Sequence, residues 1–424
     1  MRVLKLGTYG SDVMEVQALL KKLGFDPGAV DGRFGMRTQS AVVAFQRRFG
    51  LMPDGVVGAN TRRAMERFLL GYDVYFVQPG DTLYAIARKY GARLPLLLAA
   101  NPGVDPQRLS VGQRIVVPYS FDVVDTTIGY TWAVMMRDVQ GLKARYPFIE
   151  TGTIGSSVLG KELPYLRLGR GNRTVLYNAA HHALEWITSP VLMKFAEDYA
   201  KAYALGQPLA GHRPADLWNE VSIYLVPMVN PDGVDLVIDG LQPGNPYYDD
   251  LIRWNDGSMD FSQVWEANIR GVDLNHNYNA AWEQSKQAEE AMGITGPGPT
   301  RYSGPYPESE PESRAMVDFT RSVNPRLVLA YHSQGEVIFW DFMDLAPADA
   351  QPIGEQLSSL SGYALAAPEG IASYAGYKDW FIQDYRRPGY TIEVGQGRNP
   401  LPISQFDTIY ADNLPMLVYA ATVK

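Results

Sequence analysis

At 424 residues the chain exceeds one ordinary hydrophobic core, and two or three domains are expected. Its 46% hydrophobic and 20% charged residues describe a globular protein and exclude disordered and fibrous classes. There is no cysteine, so disulfides, thiolate nucleophiles and cysteine-held metal are excluded, and any metal must rest on histidine and carboxylate. The net charge of -8 is unevenly spread. Residues 1–119 hold 16 Lys and Arg against 9 Asp and Glu, and the rest holds 22 against 37. A basic front on an acidic body is expected to meet an anionic surface. Met1–Gly7 has no apolar h-region, and no run approaches the roughly 18 apolar residues of a membrane span, so neither a signal peptide nor membrane insertion is expected.

Residues 3–70 carry an internal repeat. Asp31-Gly32-Arg33-Phe34-Gly35-Met36-Arg37-Thr38 is echoed by Asp54-Gly55-Val56-Val57-Gly58-Ala59-Asn60-Thr61. Each copy offers an Asp-Gly turn, a second glycine and a threonine placed to cap the next helix. Val13, Val16, Leu19, Leu20 and Leu23 form one apolar stripe and Ala41, Val42, Phe45 and Phe49 another, which predicts a small three-helix bundle over residues 1–72. The stripe around Val16 and Gln17, together with Ala44-Phe45-Gln46, resembles the peptidoglycan-binding domain that accompanies bacterial wall hydrolases.

The next module is predicted over residues 73–119. Tyr75-Phe76-Val77 reads as a strand, Gln78–Thr82 as a turn and helix cap, and Leu83, Ile86, Ala87 and Tyr90 as a helical stripe. Asn101-Pro102 closes a second helix and Leu109–Pro118 returns as a strand. This βααβ order resembles the LysM module, which implies binding to glycans containing N-acetylglucosamine. Two wall modules in tandem would raise the substrate concentration at whatever site follows.

Residues 120–424 alternate continuous apolar runs with helical stripes, which predicts an α/β domain with a mixed, largely parallel sheet flanked by helices. Thr174–Ala180, Ser222–Val229 and Arg326–Tyr331 are too continuous for half-exposed strands. In such sheets the chemistry lies in loops past the carboxyl ends of strands. His182 and Glu185 follow the first run, His332 follows the third, and Glu393 ends Tyr390-Thr391-Ile392. Two imidazoles and one carboxylate leave a fourth coordination place open, which is the ligand count of a catalytic rather than a structural zinc. A carboxylate in an apolar strand, as at Glu393, is costly to bury without a purpose. His181, beside the pair, is expected to pack behind the ligands.

Five segments in order, His182-x-x-Glu185-Trp186, Asn230-Pro231-Asp232-Gly233, Gly271-Val272-Asp273-Leu274-Asn275, His332-Ser333 and Thr391-x-Glu393, resemble the carboxypeptidase A-like zinc metallopeptidases over about residues 123–424. The resemblance implies a zinc carboxypeptidase-like fold and one zinc ion per chain on His182, Glu185 and His332. It further implies Glu393 as general base and Arg270 as oxyanion donor, with Asn275, His276 and Tyr374 at the positions that meet substrate. Carboxypeptidases follow that asparagine with an arginine that grips the terminal carboxylate; here the residue is His276, and an imidazole lacks the bidentate fork of a guanidinium.

That departure, behind two wall modules, resembles the γ-D-glutamyl-L-diamino acid endopeptidases of spore-forming bacteria. It implies cleavage between γ-D-glutamate and meso-diaminopimelate in stem peptides. Glycan strands and stem peptides are then the expected partners, with no nucleic acid, and the expected location is the cytoplasm, the spore or the cell wall. Arg253, Lys378 or Arg398 would meet the substrate's extra carboxylates. A carboxypeptidase of altered specificity and a catalytically dead wall-binding protein are the alternatives.

Overall fold

The computed structural model describes residues 2–367 and 374–424. The chain divides into two compact units, Met1–Gly129 with Arg137–Phe148 and Tyr130–Met136 with Ile149–Lys424.

In the front unit the helices Ser11–Lys22, Met36–Arg48 and Ala59–Leu69 close over Val13, Leu20, Val42, Phe45 and Val57. The sequence repeat has a physical basis, because a buried glutamine from the preceding helix holds each Asp-Gly turn. Gln17 Nε2 donates to Asp31 Oδ1, to the Arg33 carbonyl and to Thr38 Oγ1 at 3.0, 3.0 and 3.1 Å, while its Oε1 accepts from the Asp31 and Gly32 amides. Gln46 repeats the pattern with Asp54, the Val56 carbonyl, Thr61 and the Gly55 amide. The turns need glycine at Gly32 and Gly55, both at φ 71°. Thr38 and Thr61 are therefore not helix caps. Gly35 and Gly58 occupy the N-cap positions, and the threonine hydroxyls are buried on the glutamines one turn inside.

The same unit holds a second small core. Strands β1 (Tyr72–Phe76) and β2 (Arg114–Pro118) pair antiparallel, with Tyr72 opposite Pro118 and Phe76 opposite Arg114. That register, rather than the apolar run, sets where both strands begin and end. Between them lie the helices Leu83–Tyr90, capped by Thr82 Oγ1 on the Ala85 amide at 3.1 Å, and Leu94–Ala100, ended by Asn101. Residues 120–129 and 137–148 group with this unit. Arg145 donates to the Phe121 carbonyl, and Gly141 lies so close to Leu70 that an added Cβ would stand 2.6 Å from its carbonyl oxygen.

The larger unit is built on β3 (Glu150–Ser156), β4 (Glu162–Leu168), β5 (Arg173–Ala179), β6 (Val221–Val226), β7 (Leu327–His332), β8 (Val337–Phe339), β9 (Ala364–Ala366) and β10 (Gly389–Glu393). Their order across the sheet is β3-β4-β6-β5-β7-β10-β8-β9. The central run β6-β5-β7-β10 is parallel, as is β8-β9, while β3-β4, β4-β6 and β10-β8 are antiparallel. Side-chain alternation along β5 separates two layers. Leu176 joins Val328, Met316, Val317, Trp380 and Phe381 on the side of the helices Pro311–Val323 and Tyr377–Tyr385. Tyr177, on the other side, donates its hydroxyl to the Leu417 carbonyl in the helix Phe406–Ala420.

Glu312, in the first turn of the helix Pro311–Val323, is wholly buried and accepts from the Val158 amide at 3.0 Å. Burial pushes its carboxyl up to about 8 from the usual 4.5. Between those values the folded chain carries a proton that the unfolded chain has lost, so this group makes folding stability fall as pH rises from about 4.5 to about 8. Its share is at most about 5 kcal/mol. In Glu312→Gln that share of the decline is expected to vanish, read as a flatter melting temperature between pH 5 and 8. A curve parallel to wild type would contradict the burial argument.

Candidate active site

The site forms where β5 and β7 end side by side. Past Ala179 the chain turns at Ala180 (φ 52°), and Thr188 clamps the turn by accepting from the Ala180 amide at 3.0 Å and donating to the Glu185 carbonyl at 2.7 Å. Asn230 steadies the same loop, donating from Nδ2 to the His181 carbonyl at 3.1 Å while its Oδ1 caps the helix Pro231–Asp239 on the Gly233 amide. A 3₁₀ turn, Ala183–Glu185, then brings Glu185 back beside His182. His332 is the last residue of β7.

These elements make His182, Glu185 and His332 converge. Glu185 Oε1 lies 2.9 Å from His182 Nδ1, Glu185 Oε2 lies 2.9 Å from His332 Nδ1, and the two Nδ1 atoms are 3.3 Å apart. A tetrahedral zinc with ligands near 2.0 Å needs edges of roughly 3.3 Å, so the set has the right size and donor chemistry for that ion. His182 Nε2 meets Asp273 Oδ1 at 3.1 Å. A carboxylate only accepts, so Nε2 carries the hydrogen and Nδ1 presents its lone pair to the common point. His181 is fully buried, with Nε2 on the Tyr278 hydroxyl at 2.8 Å and its ring stacked on His332. Burial foremost, then the neighbouring imidazoles, holds its pKa well below the ordinary value, so it packs as a neutral ring.

The surroundings are rich in carboxylates. Burial alone would strip the proton from His182, but Glu185 and Asp273 outweigh it and hold its pKa well above the ordinary value. Burial works against the Glu185 anion too, yet His182 and His332 bring its carboxyl down to about 2. Such a pocket favours a cation, either a proton on His182 or a metal at Nδ1, so metal binding weakens as pH falls. Glu393 stands opposite His332 in the parallel register of β10 on β7. Burial, then the charge of Glu185, pushes its carboxyl well above the usual range, with Glu266 adding to the effect and His182 opposing it.

Residues 135–416 match the zinc carboxypeptidase family. The chain belongs to that family. As a zinc metallopeptidase it takes one zinc ion, and the His-Glu-His set above fits it. Residues 9–65 match a putative peptidoglycan binding domain and residues 75–118 a LysM domain, so this member of the family carries a wall-associated front. Among the described residues no helix is long and apolar enough to cross a membrane. The chain is similar to gamma-D-glutamyl-L-diamino acid endopeptidase 1 of Lysinibacillus sphaericus, with 44% identity over 390 residues, covering 80% of this chain and 97% of that enzyme. In fold it is similar to bovine thrombin-activatable fibrinolysis inhibitor in complex with tick carboxypeptidase inhibitor, with a TM-score of 0.52, 18% identity, and coverage of 69% of this chain and 96% of that one. Carboxypeptidase A from Helicoverpa armigera gives a TM-score of 0.51 at 18% identity, covering 99% and 97%.

The other expected residues of this zinc metallopeptidase fall in different places. Asn275 turns Oδ1 to the Tyr377 amide at 3.1 Å, leaving Nδ2 without a partner among the described residues. His276 is half-buried, its Nδ1 3.4 Å from Ser285 Oγ. Tyr374 is half-buried against the cluster of Tyr278, Tyr377 and Trp380. Arg270 is not brought to the zinc ligands: its Nε donates to the Tyr247 hydroxyl and its Nη1 pairs with Glu310 at 3.6 Å. To serve as oxyanion donor it would have to leave both. Of the cations expected to meet carboxylates, Lys378 is buried on Asp379 and the Asp341 carbonyl, and Arg253 is paired with Asp250.

Two residues near the ligands carried no signal in the sequence. Asn399 Nδ2 reaches the Ser333 carbonyl at 2.6 Å and lies 3.5 Å from Glu185 Oε1, and its Oδ1 accepts from Ser333 Oγ. Glu266 accepts from Thr300 Oγ1, and its carbonyl takes the Ala183 amide inside the ligand loop. Neither falls in one of the ordered motifs.

Proposed function

We propose that this protein hydrolyses the γ-D-glutamyl–meso-diaminopimelate amide bond of peptidoglycan stem peptides. The observation that carries the reading is 44% identity with a γ-D-glutamyl-L-diamino acid endopeptidase across 97% of that enzyme's length. The half-buried imidazole of His276, where a carboxypeptidase would present a guanidinium fork, supports an internal bond over a chain terminus. Zinc on His182, Glu185 and His332 supplies a Lewis acid and lowers the pKa of water to about 7. Glu393 takes the proton of the attacking water and returns it to the departing amine of the diamino acid, as the C–N bond breaks and the γ-carboxylate of D-glutamate forms. Asp273 keeps His182 in the tautomer that presents Nδ1. Asn275 Nδ2 and Tyr374 face substrate in this reading. The site belongs to a catalytic domain over residues 120–424, and residues 1–72 and 73–119 hold glycan strands at the cell wall or spore.

The test is product analysis by mass spectrometry on L-alanyl-γ-D-glutamyl-meso-diaminopimelyl-D-alanine. Release of the intact diaminopimelyl-D-alanine dipeptide is expected. Release of D-alanine alone would make the protein a carboxypeptidase, and an intact tetrapeptide would make it a binding protein.

Removing residues 2–119 is expected to lower the rate on intact sacculi by at least about tenfold while changing the rate on the soluble tetrapeptide far less, since a tether acts through effective concentration. Equal losses on both would refute tethering.

A further inference from the structure

In the larger unit nearly every described arginine is engaged. Arg167 and Arg173 pair with Glu150 and Glu220, Arg253 and Arg321 with Asp250 and Asp318, Arg270 with Glu310, and Arg326 with Asp349. Arg170, Arg314, Arg386 and Arg387 donate to amide or carbonyl oxygens. Only Arg213, Arg301 and Arg398 have no side-chain partner among the described residues. Arg213 begins the short helix Pro214–Leu217 that packs on the helix Thr188–Leu205. The other two lie on segments bonded to residues that touch the zinc ligands.

Arg301 is half-buried, and its main-chain amide donates to Asp273 Oδ2 at 2.9 Å, the same carboxylate that holds His182. The Asp273 amide in turn donates to the Tyr302 carbonyl at 2.8 Å. Arg301 also sits at φ 66°, a conformation costly for a side chain other than glycine's, so this backbone is held where it is by its surroundings. Arg398 is exposed and immediately precedes Asn399, which is bonded to Ser333 and reaches Glu185. Its loop is fastened further by Gln405 Oε1 on the Gln396 amide and by the burial of Leu401. Each guanidinium therefore hangs from a fixed backbone one or two hydrogen bonds from a ligand, Arg301 by way of Asp273 and His182 and Arg398 by way of Asn399 and Glu185, with no side-chain partner among the described residues. In a unit with a large acidic excess, forks without a partner among the described residues are free to take an external anion.

We propose that Arg301 and Arg398 are specificity-determining residues that each hold one free carboxylate of the substrate, on the two sides of the scissile bond. The inference rests on the function proposed above and names what that substrate must carry. A γ-linked glutamate leaves its α-carboxylate free, and a diamino acid with two carboxyl groups leaves one outside the peptide chain. A planar fork matches either by two parallel hydrogen bonds. The fixed backbones limit the entropy lost when the side chains close on them.

The experiment measures binding of the tetrapeptide above, and of two forms amidated either at the glutamate α-carboxylate or at the diaminopimelate carboxylate outside the peptide chain, by calorimetry on the zinc-loaded full chain carrying Glu393→Gln to prevent turnover. Each amidation is expected to weaken binding by roughly 10- to 100-fold in that background. Arg301→Gln should abolish the sensitivity to one amidation and Arg398→Gln the sensitivity to the other, with zinc content unchanged. Should Arg301→Gln fold poorly, Arg301→Gly, at ease at positive φ, carries the same expectation. The inference is overturned if the variants keep the parent's sensitivity to both amidations, or bind the free tetrapeptide as tightly as the parent. If the chain with Glu393 intact leaves the tetrapeptide uncut, the function reading fails and takes this inference with it. If it cuts the diaminopimelyl bond while the arginine variants behave as the parent, this inference alone fails.

Discussion

Glu393→Gln is expected to keep one zinc ion per chain and to lower kcat on the stem tetrapeptide by about 10²–10⁴-fold, the usual worth of a positioned general base. The expectation starts from register. Glu393 is the Cα partner of His332 across the β10–β7 pair, so its carboxylate stands one strand away from the ligands instead of among them. Glutamine preserves the shape and can still accept a hydrogen bond, but it cannot take up a proton. The electrostatics favour the role. A carboxyl at its ordinary pKa is a weak base at neutral pH, whereas burial, followed by the charges of Glu185 and Glu266, pushes Glu393 well upward. The acid limb of the kcat profile should therefore be lost from whatever activity the variant retains. Zinc content and kcat measured on the same sample decide the matter. Loss of zinc would make Glu393 a ligand, and an unchanged kcat would remove it from the chemistry.

His182→Ala is expected to release the zinc altogether and, with it, all hydrolysis. His182 links two buried carboxylates: Nδ1 faces Glu185 and Nε2 faces Asp273. Its removal deletes a ligand and leaves both acids without their common partner, so the melting temperature should fall as well. Asp273→Asn serves as the graded comparison. It keeps all three ligands and weakens the bonds that Asp273 makes to the His182 ring and to the Arg301 and Asn275 amides, for which a loss of about 10–100-fold in zinc affinity is expected. Competition against a chromophoric chelator ranks the two variants. If Asp273→Asn costs as much zinc affinity as His182→Ala, or if His182→Ala still holds one zinc per chain, the assignment of ligand and positioning residue fails.

Much of this was legible in the order of residues. Strand-forming runs at 174–180, 222–229 and 326–331 became β5, β6 and β7 because continuous apolar character is a local property that a doubly covered sheet requires. The ligand motif could be read for the same reason: His182 and Glu185 are three residues apart on one turn, and His332 closes a strand. The Asp-Gly repeat marked two equivalent turns, although not what their threonines do. Thr38 and Thr61 bond to glutamines 21 and 15 residues away, which no local rule for helix starts anticipates.

Which residues meet across the molecule was decided by the sheet order β5-β7-β10 and by the loops above it. That order sets Glu393 beside His332, brings Asn399 to Glu185 and places Glu266 close enough to alter Glu393. It also discriminates among cations that look alike in sequence, pairing Arg253, Arg270 and Lys378 with acids while leaving Arg301 and Arg398 without a side-chain partner among the described residues. Local pattern follows from the chemistry of neighbours along the chain, so a single sequence determines it. Charge pairing and convergence on a common point depend on distances across the fold, and those exist only once strands far apart in the chain have come together.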